Sequence, residues 1–275
     1  TMPLLRSREL SYILDRAGVT IALCDTNLDT DLEEAAATSA ELKHLLYFTT
    51  MAEGGNVATL EKAAEGKSSD LKNANTAADD VALIAFTSGT TGQPKGTIHF
   101  HRDIMAITDC FPRYVGKITP NDVISGTPPL AFTFGLGGVT LFPMRFGAST
   151  VIVERTTPEA LLQTIEKFKA TVCFSTPSGY KLMLDDIDKY DTSSLRLCIA
   201  GGEPLAPAVF HSWEEKTGVR IINGLGISEL LHIFISASGD DIRPGLIGTA
   251  VPGFKVRVVD DSFKDTAPGE VGQMI

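Results

Sequence analysis

The chain has 275 residues, 43% hydrophobic and 21% charged, with a formal net charge of −10. That composition suits a folded chain long enough for a large core or two lobes. An acidic balance without a basic block argues against a nucleic acid partner, no apolar run reaches the roughly eighteen residues of a membrane span, and no signal-peptide pattern opens the chain. Cys24, Cys110, Cys173 and Cys198 are far apart in mostly apolar surroundings, with no Cys-x-x-Cys pair. They read as reduced, buried thiols of a cytoplasmic protein. The five histidines form no zinc-type HExxH pattern.

Apolar spacing predicts a helix over 3–17 stopped by Gly18, a strand over 19–24, a helix over 29–40 and a strand over 45–49. Residues 52–80 are polar, with a surface helix near 60–65, and serve as a connector and a candidate boundary. A second α/β run then starts. Strands are expected at 81–86, 97–100, 122–125, 149–153, 171–174, 195–200 and 219–222. Helices are expected at 103–114, 132–146, 158–168, 177–184 and 206–217, the second of these packed through its glycines. From Pro252 the pattern changes to alternating residues and turn signals, the opening of a small antiparallel module. The fold class expected is therefore α/β, with layered, mainly parallel sheets, helices on both faces and the start of a small β module. The subregions expected are 1–80, 81–248 and 249–275.

The most informative stretch is Thr87-Ser88-Gly89-Thr90-Thr91-Gly92-Gln93-Pro94-Lys95-Gly96. It holds four hydroxyl side chains, three glycines and a lysine, and no Asp or Glu occurs from Val81 through Arg102. Glycines let the backbone approach a bound group, hydroxyls and amides donate hydrogen bonds, and a lysine adds positive charge. The set suits a polyphosphate. It is not the Walker loop, because Lys95 precedes Gly96 rather than following it. Ligands of parallel α/β sheets sit beyond the carboxyl ends of the strands. Gly-rich loops are expected at three such ends, after Phe86, after Ala200 (Gly201-Gly202-Glu203-Pro204) and after Ile222 (Asn223-Gly224-Leu225-Gly226), sharing one crevice.

Together these motifs resemble the adenylate-forming superfamily of acyl-CoA synthetases, peptide-synthetase adenylation domains and luciferases. Thr87 to Gly96 is similar to its phosphate-binding signature, Asn223 to Glu229 to its second signature, and Gly202-Glu203-Pro204 to its adenine-pocket loop. The stretches from Pro128 to Gly137 and from Ser228 to Phe234 look most like benzoate- and 2-aminobenzoate-CoA ligases. The resemblance runs over the whole chain. It implies a partial AMP-binding domain without its mobile C-terminal domain, truncated at both ends and impaired in turnover. It implies ATP, Mg2+ and coenzyme A as cofactor and co-substrates, and a small carboxylic acid as substrate, with a homo-oligomer allowed.

Residue by residue, the resemblance implies that Thr87, Ser88, Gly89, Thr90, Thr91 and Gly92 hold the β- and γ-phosphates, with Lys95 nearby. Ser228 donates to the α-phosphate and Glu229 helps hold Mg2+. Gly202, Glu203, Pro204, Asn223, Gly224, Leu225 and Gly226 form the nucleotide side. Phe132, Phe134, Gly226 and His232 line the acid pocket, since an aromatic acid needs a flat apolar slot with few polar contacts. Alternatives are an adenylating ligase for a short or medium aliphatic acid, a non-catalytic nucleotide-binding remnant, and an HxxxD acyltransferase using His99 and Asp103. No GxSxG elbow supports a serine hydrolase.

Overall fold

Residues 2–49, 59–87, 94–153 and 156–275 are described by a computed structural model, in which the chain divides into two units, 1–101 and 102–275. In the first unit, α1 (Ser7–Ala17) starts with Glu9 Oε2 accepting from the Arg6 amide at 3.1 Å and ends at Gly18 in the left-handed region, φ 59°. It is followed by β1 (Ile21–Asp25), α2 (Asp29–Ala36), β2 (His44–Phe48) and α3 (Thr59–Ala64). β1 and β2 pair in parallel. Leu10 and Leu14 of α1 meet Cys24 of β1 and Leu32 and Ala35 of α2 in a small core, as the helical spacing of those residues requires.

The same unit contains β3 (Val81–Thr87) and β4 (Lys95–Phe100), joined antiparallel with Thr87 opposite Lys95. This corrects the expectation of three strand ends in one parallel sheet: β3 pairs only with β4, in a two-stranded sheet of its own among the described residues. The hairpin also lies on the first unit's side of the division at His101, not beyond the polar connector. Tyr12 of α1 meets the residue before β4, with Oη donating to the Pro94 carbonyl at 2.8 Å and the ring edge-on to Phe86.

The second unit runs α4 (His101–Asp109), α5 (Phe111–Tyr114), β5 (Val123–Gly126), α6 (Thr133–Leu136), α7 (Phe142–Phe146), β6 (Ser149–Ile152), α8 (Pro158–Phe168), β7 (Val172–Ser175), α9 (Pro177–Met183), β8 (Leu197–Gly201), α10 (Pro207–Thr217), β9 (Ile221–Gly226), β10 (Ile233–Ser236) and β11 (Thr249–Ala250). These strands form one seven-stranded sheet in the order β11-β10-β9-β8-β7-β5-β6. β6, β5, β7, β8 and β9 are parallel, whereas β10 and β11 are antiparallel. A separate ladder of β12 (Val258–Val259) and β13 (Gln273–Met274) matches the small antiparallel module expected near the end. No helix among the described residues is long and apolar enough to cross a membrane.

Strand alternation sends successive side chains to opposite faces. Cys173 of β7 joins Leu161, Ile165, Tyr180, Met183 and Trp213 from α8, α9 and α10 in one core. Its neighbour Phe174 packs on the other face against Phe134 and Phe142. The expected helix over 132–146 is present, helical without a gap from Thr133 to Phe146, but a π-helical turn, Gly137–Leu141, lies between α6 and α7. Pro143 explains it, because proline has no N–H and its ring crowds the carbonyl four residues back. That carbonyl, of Val139, instead accepts from Thr150 Oγ1 at 2.8 Å.

The amino ends of the central strands are clipped together by Asp122. Its carboxylate accepts from Arg196 Nε at 2.7 Å and Nη2 at 2.6 Å, from Thr171 Oγ1 at 2.7 Å and from the Thr119 amide at 2.8 Å. Asp122, Thr171 and Arg196 immediately precede β5, β7 and β8. Burial alone would raise the Asp122 carboxyl, but these bonds outweigh it and hold the group at about 2. A depressed carboxylate stabilises the fold fully above the unfolded value near 4 and loses that contribution as pH falls through about 2. Asp122→Ala is expected to cost about 2–3 kcal/mol in urea unfolding at pH 7, because the bonds from Arg196, Thr171 and Thr119 are lost together and Arg196 keeps only the Gly116 and Lys117 carbonyls. The loss should shrink toward pH 2.

Candidate active site

In sheets of this kind a crevice opens where the strand order reverses. Here β6 lies on one side of β5 and β7 on the other. Beyond the carboxyl ends of these strands lies a pocket of about 360 Å3. Pro128 and Pro129 follow β5, Thr176 follows β7, and Gly201 and Gly202 end or follow β8; all line it. Phe132, Thr133 and Phe134 give a second wall, and Gly224, Gly226, Ile227 and Ser228 a third.

The third Gly-rich stretch, Asn223 to Gly226, is strand rather than loop, since β9 continues through Gly226. That single correction sorts its residues. Gly224 and Gly226 share the face toward the pocket. Asn223 and Leu225 alternate to the other face, where they border separate cavities. Ser236 Oγ donates to the Asn223 carbonyl at 2.8 Å, fixing β10 against β9.

After β9 the chain makes a tight turn. The Leu231 amide donates to the Ser228 carbonyl at 3.2 Å and the His232 amide to Leu230 at 2.8 Å. Leu231 is buried at φ 62°, a left-handed conformation that costs a branched residue energy. The turn leaves Ser228 on the pocket wall and Glu229 exposed. Glu229 makes no hydrogen bond or ion pair among the described residues.

His232 is 3% exposed and lies among aromatic rings, with centroids 4.5 Å from Phe142, 5.4 Å from Phe134, 5.8 Å from Phe111 and 6.2 Å from Phe174. Burial pushes its imidazole down to about 3, opposed only in part by the Phe134 carbonyl. The ring is therefore neutral near pH 7. The Phe134 carbonyl, 3.2 Å from Nε2, can only accept, so Nε2 carries the proton. Nδ1 is then a buried acceptor with no hydrogen-bond partner among the described residues. Gly137 makes room for the ring: a Cβ there would lie 2.4 Å from His232 Cδ2.

Of the residues singled out in the sequence, Phe132, Phe134, Gly202, Gly224, Gly226, Ser228 and His232 meet in this pocket. Glu203 does not line it; its carboxylate is bonded to Ser178. Pro204 is exposed beside it. Thr87 and Lys95 face one another across the hairpin of the first unit, while Ser88, Gly89, Thr90, Thr91 and Gly92 lie outside the described residues. His99 is buried in β4 at 3% exposure. The sequence reading missed Thr176, Pro128, Pro129, Thr133, Ile227 and Ile233. Their signal was positional: each follows a strand end or adjoins a residue already singled out.

The model of the AMP-binding enzyme family matches residues 1–275. The chain belongs to that family. The chain is 30% identical over 275 residues to the benzoate–CoA ligase of Thauera aromatica, covering 98% of the chain and 51% of the relative. It is 31% identical over 278 residues to the 4-hydroxybenzoate–CoA/benzoate–CoA ligase of Rhodopseudomonas palustris, covering 98% and 50%. Among solved structures, an anthranilate CoA ligase in complex with anthranoyl-AMP matches with a TM-score of 0.92 at 32% identity, over 100% of this chain and 54% of that one. The chain thus spans about half the length of these relatives.

Proposed function

We propose that this chain forms the acid- and nucleotide-binding part of an enzyme that activates an aromatic acid, benzoate or 2-aminobenzoate in type, with ATP and transfers it to coenzyme A. The observation that carries the reading is the pocket at the sheet's switch point. Its walls are mainly proline, phenylalanine and glycine, its one imidazole is neutral and the Ser228 residue lines it, while the next residue, Glu229, is exposed outside the lining. Benzoate- and anthranilate-CoA ligases among the matches support the same acid class.

In the first step a carboxylate oxygen of the acid attacks the α-phosphorus of ATP. An acyl–O–P bond forms, the P–O bond to pyrophosphate breaks, and pyrophosphate leaves with the electron pair. In the second step the thiolate of coenzyme A attacks the acyl carbonyl, and AMP leaves. Two anions meet in the first step, so fixed donors matter more than acid–base catalysis. Ser228 is proposed to donate to an α-phosphate oxygen, and Thr87, residues 88–92 and Lys95 to hold the departing phosphates. A lone carboxylate suits Mg2+, which usually takes one or two protein carboxylates and completes its shell with phosphate oxygens and water. Glu229 would hold it, and the bound ion would neutralise phosphate charge.

The test is ATP-dependent pyrophosphate release by the full-length protein across benzoate, 2-aminobenzoate and hexanoate. The expected outcome is release with the aromatic acids at least tenfold faster than with hexanoate. A preference for hexanoate would favour the aliphatic reading. No release with any acid would favour a non-catalytic nucleotide-binding role.

A further inference from the structure

We propose that Ser178 is a positioning residue that holds the nucleotide wall of the pocket in place, an inference that rests on reading Gly202 to Pro204 as the adenine side. Two elements distant in sequence meet at the pocket rim. One is the start of α9, which follows β7; the other is the stretch after β8. The Ser178 amide donates to Glu203 Oε2 at 3.2 Å, and the Ser178 hydroxyl donates to the same oxygen. On the α9 side the attachment is firm: Thr176, which lines the pocket, accepts from the Gly179 amide at 3.0 Å.

On the β8 side the backbone needs holding. Gly202 is exposed at φ 87°, with no atom within 4 Å of where its Cβ would be. Its pocket side is therefore bare backbone that a flat base can approach, and no side chain of its own fixes its orientation. The two donors of Ser178 supply that constraint one residue later. They also fix the direction of a negative charge. An unbonded Glu203 carboxylate at this rim would be free to swing toward a ligand that carries phosphate, and like charges repel. Bonded to Ser178, it faces α9 and contributes only its backbone to the wall. Hydrogen bonds to an ionised acceptor are the stronger kind, which suits a tether in contact with water.

Calorimetry with the 275-residue chain tests the proposal, using AMP and benzoate as separate probes. Ser178→Ala removes the hydroxyl and keeps the amide; Ser178→Thr keeps both donors. Ser178→Ala should weaken AMP about five- to tenfold, the order of one net hydrogen bond, with benzoate affinity unchanged and Tm within about two degrees. Ser178→Thr should restore AMP affinity to within about twofold. Unchanged AMP affinity in Ser178→Ala would overturn the inference alone. An equal loss for AMP and benzoate would also overturn it, since that marks a general structural role. If the unmutated chain binds no AMP, the nucleotide reading of the pocket fails first.

Discussion

Gly137→Ala will destabilise the second unit and weaken benzoate binding, although alanine is the better helix former. In an unobstructed helix interior, glycine to alanine gains up to about 1 kcal/mol. Here the added methyl would lie 2.4 Å from Cδ2 and 3.0 Å from Nε2 of His232. The imidazole cannot step aside cheaply, because Phe111, Phe134, Phe142 and Phe174 surround it and its Nε2 bonds the Phe134 carbonyl. Overpacking of this kind costs about 1–3 kcal/mol. Its relief is displacement of His232 along the pocket wall. The expected result is a lower urea midpoint, with at least a tenfold loss of benzoate affinity by calorimetry. A raised midpoint with unchanged affinity would show that His232 is loosely held.

His232 also predicts an acid-side slope in stability. Its folded value near 3 lies well below that of a histidine in an unfolded chain, near 6.5, because burial disfavours the charged ring. The unfolded state therefore takes up a proton between these values that the folded state refuses. Stability from this group is complete above about pH 6.5 and falls by about 1.4 kcal/mol per pH unit as pH drops toward 3. His232→Phe fills the same apolar space without a titrating group. Urea unfolding from pH 7 to pH 4 should show the slope in the original chain and its loss in the variant. Asp122 does not confuse the comparison, since its contribution starts to fall only below about pH 4. Parallel pH profiles for both proteins would mean that His232 is charged in the fold.

Much of this architecture is legible in the sequence where periodicity and turn residues agree. α8 and α10 fall within a residue of their expected bounds, since proline near the first turn and a left-handed residue at the end punctuate both. What was not legible depends on partners remote in sequence. The 81–86 run is apolar enough for a buried parallel strand, and only its pairing with β4 makes it a hairpin arm. Asn223-Gly224-Leu225-Gly226 reads as a loop because glycine is a poor strand former, yet β8 and β10 on either side carry it as strand. That difference decides that Gly224 and Gly226 line the pocket while Asn223 and Leu225 turn away. Glu203 reads as a ligand contact because it stands in the stretch similar to an adenine-pocket loop; in the fold Ser178, 25 residues earlier, takes its carboxylate. The aromatic and histidine lining was legible because Phe132, Phe134 and His232 sit beside the same signatures that suggested adenylation.

One pocket, built from the ends of β5, β7, β8 and β9, is proposed to hold an aromatic acid next to a nucleotide. Its most direct measurement is calorimetry of a non-hydrolysable benzoyl-adenylate mimic against the chain, repeated in the presence of saturating benzoate and of saturating AMP. The account predicts one site per chain, competition by both benzoate and AMP, and at least tenfold weaker binding when Gly137→Ala displaces His232. Binding that AMP displaces but benzoate does not, and that Gly137→Ala leaves unchanged, would contradict it.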